Sequence, residues 1–138
     1  MSHPKTYLYR RIVQAKLFID NHYSEPIDLN ILSSEAIFSK FHFLRLFKES
    51  YGVTPYVYLK KIRIEKAKEL LSQDLQVEEV CFHIGFDSVT SFTTLFKRQV
   101  GITPAAFRED RIARQRLMMS TPLKFIPNCY AESNGWIK

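Results

Sequence analysis

The chain has 138 residues, 46% of them apolar, and carries 20 Lys and Arg against 14 Asp and Glu, a net charge of +6. That length suits one compact domain or two very small ones sharing a connector, and the apolar fraction excludes wholesale disorder. No run of about 18 apolar residues occurs, so no membrane-spanning helix is expected, while the basic balance fits a polyanionic partner as readily as a solvated basic face.

The first residues, Met1-Ser2-His3-Pro4-Lys5, lack the apolar stretch of a signal peptide. Cys81 and Cys129 are too few and too far apart for a disulfide framework or a CxxC metal site, and a reducing, cytoplasmic location is expected. Strand signals are nearly absent, because no stretch alternates apolar and polar residues for long between turn residues. Helical spacing recurs instead. Leu8, Ile12, Ala15 and Ile19 predict an amphipathic helix over 7–20. Pro26 breaks the pattern, and Asp28 can cap a short helix over Leu29–Ala36. Ser39 can cap the next helix, with Phe43, Leu46 and Phe47 on one face and Gly52 at its C-terminal turn. Thr54-Pro55 opens a longer helix reaching Ser72, with Tyr56, Leu59, Ile62 or Arg63, Ala67 and Leu70 along one side. A fifth helix fits Val77–Ile84, its apolar face being Val80, Cys81 and Ile84. Gly85-Phe86-Asp87 makes a turn, Ser88–Val100 a sixth helix ended by Gly101, and Thr103-Pro104 starts a seventh that runs to Met118.

Shifting the sequence by 49 residues brings 39–55 into register with 88–104, and 8 of those 17 positions are identical. They are Ser39/Ser88, Phe43/Phe92, Leu46/Leu95, Phe47/Phe96, Lys48/Lys97, Gly52/Gly101, Thr54/Thr103 and Pro55/Pro104. Chance would give about one, so a structural unit is duplicated. The short helices upstream align by pattern, and each unit reads as short helix, tight turn, second helix. The shared Phe, Leu and Phe at i, i+3 and i+4 cluster on one face and are expected to point into a core. The opposite face differs: Lys40, Phe41, Leu44 and Arg45 in one copy, Val89, Thr90, Thr93 and Thr94 in the other. A scaffold that keeps its inner face and varies its outer one suits the reading of two different half-sites; drift of a solvated face gives the same pattern. Lys60, Lys61, Arg63, Lys66 and Lys68 make the connecting helix basic, either to approach phosphates or as a solvated face beside Glu65 and Glu69.

With Leu46-Phe47-Lys48, Gly52-Val53-Thr54-Pro55, Tyr58-Leu59, Arg63-Ile64-Glu65-Lys66-Ala67 and Leu70-Leu71 in its first part, the chain resembles the DNA-binding domain of the AraC/XylS family of bacterial transcription regulators. Val77-Glu78-Glu79-Val80, Ile84-Gly85-Phe86, Phe92, Phe96-Lys97 and Gly101-Ile102-Thr103-Pro104 continue the match, which covers residues 7–108. The resemblance implies an all-α fold of seven helices: a first helix-turn-helix subdomain (1–54), a connecting helix (55–72) and a second subdomain (73–119). The segment 120–138, rich in Pro and aromatic residues, is expected to fold back, to contact a partner or to be poorly ordered. Helices three and six would enter adjacent major grooves of duplex DNA and regulate transcription, usually upward, with RNA polymerase a further candidate partner; the oligomeric state stays open, a monomer being compatible.

The resemblance marks Phe41, Leu44 and Arg45, and in the second unit Val89, Thr90, Thr93 and Thr94, as base-reading positions, with Lys40 on the same face. Arg45 is the strongest of these, since a guanidinium can pair bidentately with guanine; an ion pair to Glu49 is its alternative. Val and three Thr offer only short hydroxyl or methyl contacts, so the second unit departs from the long polar side chains usual in the family. Ser39, His42, Lys48, Ser88, Lys97 and Arg98 suit phosphate contacts that set register. His3, His22, His42 and His83 do not cluster at metal-ligand spacing, and no nucleophile elbow, phosphate loop or paired-carboxylate motif occurs. Neither a metal, a cofactor nor an enzymatic activity is expected. A protein-interaction module and a nonspecific or RNA-directed binder stay open beside sequence-specific DNA binding.

Overall fold

A computed structural model describes residues 4–28, 30 and 40–120. Among the described residues there are six helices and no strand: α1 (Pro4–His22), α2 (Lys40–Tyr51), α3 (Pro55–Leu71), α4 (Val77–His83), α5 (Val89–Val100) and α6 (Pro104–Ser120). The short helix expected over Leu29–Ala36, its neighbour Ser39 and the segment 121–138 lie outside the described residues. Asp28 accepts the Asn30 N–H at 2.9 Å, the i to i+2 contact that a capping carboxylate makes.

The duplicated residues end and begin helices in the same way in both units. Gly52 (φ 79°) and Gly101 (φ 98°) take the left-handed conformation that closes α2 and α5, donating to the carbonyls of Lys48 and Lys97 at 2.7 and 2.9 Å. Thr54 Oγ1 then accepts from the Val57 N–H at 3.4 Å, and Thr103 Oγ1 from the Ala106 N–H at 3.1 Å. Pro55 and Pro104, fully buried at the first helical position, have no N–H to leave unpaired there. Ser88 caps α5 by accepting the Ser91 N–H at 3.1 Å.

Two cores result. Ile12, Ala15 and Ile19 of α1, Phe43 and Phe47 of α2, and Leu59 of α3 form the first. Ile64, Ala67 and Leu71 of α3 join Val80, Cys81, Ile84, Phe92, Leu95, Phe96 and Phe107 in the second. The repeated phenylalanines Phe43, Phe47, Phe92 and Phe96 are all fully buried. Phe96 meets Phe92 and Phe107 edge-on, with centroids 5.7 and 5.5 Å apart.

The connector departs from its expected single apolar side. Successive residues turn by about 100°, so Tyr58, Leu59 and Ile62 share one face, whereas Ile64, Ala67 and Leu71 share a face roughly opposite. The first group packs on the first core and the second group on the second. Tyr56, assigned from the sequence to the apolar side, is 54% exposed. The connecting helix is therefore amphipathic twice, with the apolar face changing sides near Arg63. The first turns of α6 are fastened to the α3–α4 turn by Arg108, which donates to the Leu75 carbonyl at 2.9 Å and pairs with Asp74. Gln115 adds a bond to the Ser72 carbonyl at 2.9 Å.

Candidate nucleic-acid interface

Helices α2 and α5 each bury the Phe face and turn the other outward. On α2, Lys40, Phe41, Arg45 and Lys48 are exposed, and Phe41 is 77% exposed despite its apolar ring. Leu44 is half-buried and packs against the first core, so it forms a rim to the outer face rather than its centre. His42 is half-buried as well. On α5, Ser88, Thr90, Thr94, Lys97 and Arg98 are exposed; Thr93 is half-buried, and Val89 packs against the second core as Leu44 does against the first. The structure thus brings Lys40, Phe41, Arg45 and Lys48 to one outer face and Thr90, Thr94, Lys97 and Arg98 to another.

The outer-face cations carry their charge outward. Among the described residues, no ion pair engages Arg45, Lys48, Lys97 or Arg98; the pair considered between Arg45 and Glu49 does not form. The Ser88 hydroxyl is used within the chain, accepting from the Ser91 N–H and lying 3.0 Å from the Ser91 hydroxyl. A phosphate there would meet the N-terminal end of α5, whose N–H groups and dipole favour an anion.

The connector's cations divide differently from the expectation. Lys66 pairs with Glu69 at 3.6 Å and Lys68 with Glu65 at 3.0 Å. Arg63 is turned inward, donating from Nε to the Tyr23 carbonyl at 2.7 Å and from Nη2 to the Glu25 carbonyl at 3.1 Å. Burial lowers its pKa from the ordinary arginine value, against the raising influence of Asp87 and Tyr56. Arg63 is therefore a structural residue, and Lys60 and Lys61 are the connector cations left for an outside partner.

Lys60 lies over the Tyr56 ring, 4.2 Å from its centroid. Both line a groove of about 340 Å³ between α3 and α5, with Thr90, Ser91, Thr94 and Arg98 on its other side. Lys60 was among the connector cations that the sequence offered to phosphates, whereas Tyr56 and Ser91 were not singled out for the interface. An aromatic and a lysine at i and i+4, in line with the Ile64-Ala67-Leu71 stripe but one and two turns ahead of it, were the available signal.

Little else in the described residues offers chemistry. No group of three or more His, Cys, Asp or Glu could hold a metal ion, and no helix is long and apolar enough to cross a membrane. Cys81 is fully buried, and burial, with Asp87 adding, pushes its thiol pKa up, away from the reactive thiolate.

A two-core helical fold in which α2 and α5 bury like Phe faces and turn basic faces outward matches known proteins closely. The family model for a helix-turn-helix domain matches residues 32–110. The probable transcription factor PqrA of Proteus vulgaris is 35% identical over 63% of this chain and 72% of its own length. The transcriptional activator AarP of Providencia stuartii is 29% identical over 80% of this chain and 83% of its own. Among solved structures, the DNA-binding domain of the global transcriptional factor AdpA, crystallised with a target DNA, is 31% identical with a TM-score of 0.72, covering 76% of this chain and 96% of that one. Four other curated relatives are longer, and the chain spans 25–44% of their length. The chain belongs to the AraC/XylS family of helix-turn-helix transcription regulators.

Proposed function

We propose that the chain binds duplex DNA sequence-specifically, with α2 and α5 in successive major grooves, and thereby regulates transcription at bacterial promoters. The observation that carries this reading is the pairing of like scaffolds with unlike outer faces: the same buried phenylalanines and helix caps hold two helices that present different side chains. With 17 residues, α3 is about 25 Å long, a span compatible with two helices on one DNA face about 34 Å apart.

In this reading Arg45 carries most base discrimination, with Lys40, Phe41 and Leu44 beside it; Phe41 and the rim of Leu44 suit thymine methyl groups. Val89, Thr90, Thr93 and Thr94 make short contacts in the second groove. Ser39, His42, Lys48, Ser88, Lys97 and Arg98 hold phosphates and set register. Activation follows the example of AarP, named as an activator, with RNA polymerase as the protein partner. A monomer suffices, the cytoplasm is the site of action, and no catalytic step is assigned.

Selection of bound duplexes from a random library tests the proposal. A single enriched site containing two short conserved blocks about one helical turn apart is the expected result. Recovery of random sequence, or equal affinity for selected and unselected duplexes, would overturn it.

A further inference from the structure

Among the described residues, the two subdomains meet at a junction built around Arg63, a connector cation that the sequence left open between phosphate approach and a solvated face. Arg63 sits where the apolar face of α3 changes sides. Its guanidinium reaches from the connector to the turn after α1, bonding the Tyr23 and Glu25 carbonyls. The same group covers the Phe86 ring of the second subdomain, 5.6 Å from its centroid. Phe86 in turn packs against Phe92 of α5, with centroids 5.5 Å apart. Tyr23 touches both cores.

Backbone approach at this junction is as close as it can be. Gly85 has φ 93°, and a Cβ there would lie 2.8 Å from the Ser24 carbonyl oxygen and 3.0 Å from Arg63 Nη2. The turn of the second helix-turn-helix unit is thus pressed directly onto the turn that follows α1 of the first. Only glycine permits that contact. Arginine is suited to the other half of it, because its planar fork can bond two carbonyls while its face lies on an aromatic ring. Asp87, beside it, adds favourable charge.

We infer that Arg63 and Gly85 form a latch that fixes the orientation of the two recognition helices relative to one another, and so makes the protein selective for the spacing between its two half-sites. The inference rests on the DNA-binding reading above, and Arg63 is here a positioning residue that touches no base. One inserted base pair moves the second half-site by about 3.4 Å and rotates it by about 35°. A latched pair of helices cannot follow that movement without breaking contacts in one groove; an unlatched pair can.

The test uses the full chain as wild type, Arg63→Met, Arg63→Lys and Gly85→Ala, each against the selected duplex and against versions with one or two base pairs inserted between its blocks. Wild type is expected to lose about tenfold or more in affinity per insertion, of the order of one lost base-pair contact. Arg63→Met and Gly85→Ala are expected to bind the native spacing more weakly and to lose less than about threefold on insertion, while a duplex carrying only the first block is bound as by wild type. Arg63→Lys should behave like Arg63→Met. An unchanged spacing profile in Arg63→Met, or equal loss on the single-block duplex, would overturn the latch.

A DNA-free measurement separates the latch from the DNA reading. Spin labels at Gln14→Cys on α1 and Gln99→Cys on α5, in a Cys129→Ser background, should give a narrow distance distribution that broadens in Arg63→Met and Gly85→Ala. Equally narrow distributions in all variants refute the latch even if DNA binding is specific. Broadening in a protein that binds all duplexes alike leaves the latch standing and refutes the DNA reading instead.

Discussion

Replacing Arg45 by Ala isolates base reading from folding, because the structure gives the side chain no internal work. It is exposed on α2 and, among the described residues, makes no ion pair, including none to Glu49 four residues on. Its removal takes nothing from the core, and Ala is at least as good a helix former as Arg, so stability should change by less than about 0.5 kcal/mol. Binding should change far more. A bidentate contact to guanine accounts for about 1–3 kcal/mol of discrimination, or roughly 5- to 150-fold between the correct base and another. The assay is competition binding on the selected duplex and on a set with each base pair substituted singly. Preference should collapse at one position and persist at the rest, with thermal unfolding unchanged. Equal weakening on every duplex would mean that Arg45 holds a phosphate, and a marked drop in Tm would mean that the helix face has been misassigned; either result refutes the reasoning.

Lys97→Ala should weaken all duplexes alike and make the slope of log K against log salt shallower by about 0.9, one phosphate contact, in a salt titration. Phe47→Ala and Phe96→Ala empty fully buried sites in the first and second cores and should each destabilise by about 3–5 kcal/mol, read from urea unfolding midpoints. Thr103→Ala removes the bond from the Ala106 N–H and should cost about 1 kcal/mol of stability in the same assay. The Tyr58 hydroxyl donates to Asp20 at 2.5 Å, and burial, then that bond, raise its pKa above the ordinary value. A folded value above the unfolded one means that this contribution is complete below about pH 10 and is lost as pH rises through the folded value. Tyr58→Phe should therefore make the alkaline decline of unfolding free energy shallower, and an unchanged decline would exclude Tyr58 as its source.

The helix ends were legible in the sequence because their chemistry is local. Thr-Pro at 54–55 and 103–104 carries both a capping hydroxyl and a residue without an N–H, and Gly52 and Gly101 stand where the left-handed turn follows. Nothing distant decides these features. The 49-residue repeat then identified the inner face, since Phe43, Phe47, Phe92 and Phe96 recur only where packing demands them. The connector was misread for an equally physical reason. A helix gripped from one side shows one apolar stripe, but α3 is gripped from opposite sides along its length. Its two short stripes, Tyr58-Leu59-Ile62 and Ile64-Ala67-Leu71, blur into an arrangement without clear periodicity.

The same limit explains the fate of the connector's charges. A sequence shows that Arg63, Lys66 and Lys68 are cations on a helix, but the groups that take them up are backbone carbonyls 38 and 40 residues away or glutamates on the same helix. Backbone acceptors have no letter in a sequence, so Arg63 reads like Lys66 and Lys68 although, of these three cations, it is the one that bridges the subdomains. Burial at the interface is hidden in the same way: Leu44 and Val89 occupy outer-face positions by spacing, yet the shape of each core draws them into its rim. What then distinguishes the two outer faces is reach. Around α2 the exposed groups are long, Arg45 and Phe41; around α5 they are threonine hydroxyls flanked by Arg98 and, from the connector, by Lys60 over Tyr56. Short side chains can touch base edges only if the helix lies deep in its groove, and that depth depends on what holds the helix from the side. The second unit's contribution is therefore set by its orientation as much as by its own side chains, which is why the junction at Arg63 and Gly85 bears on specificity without approaching a base.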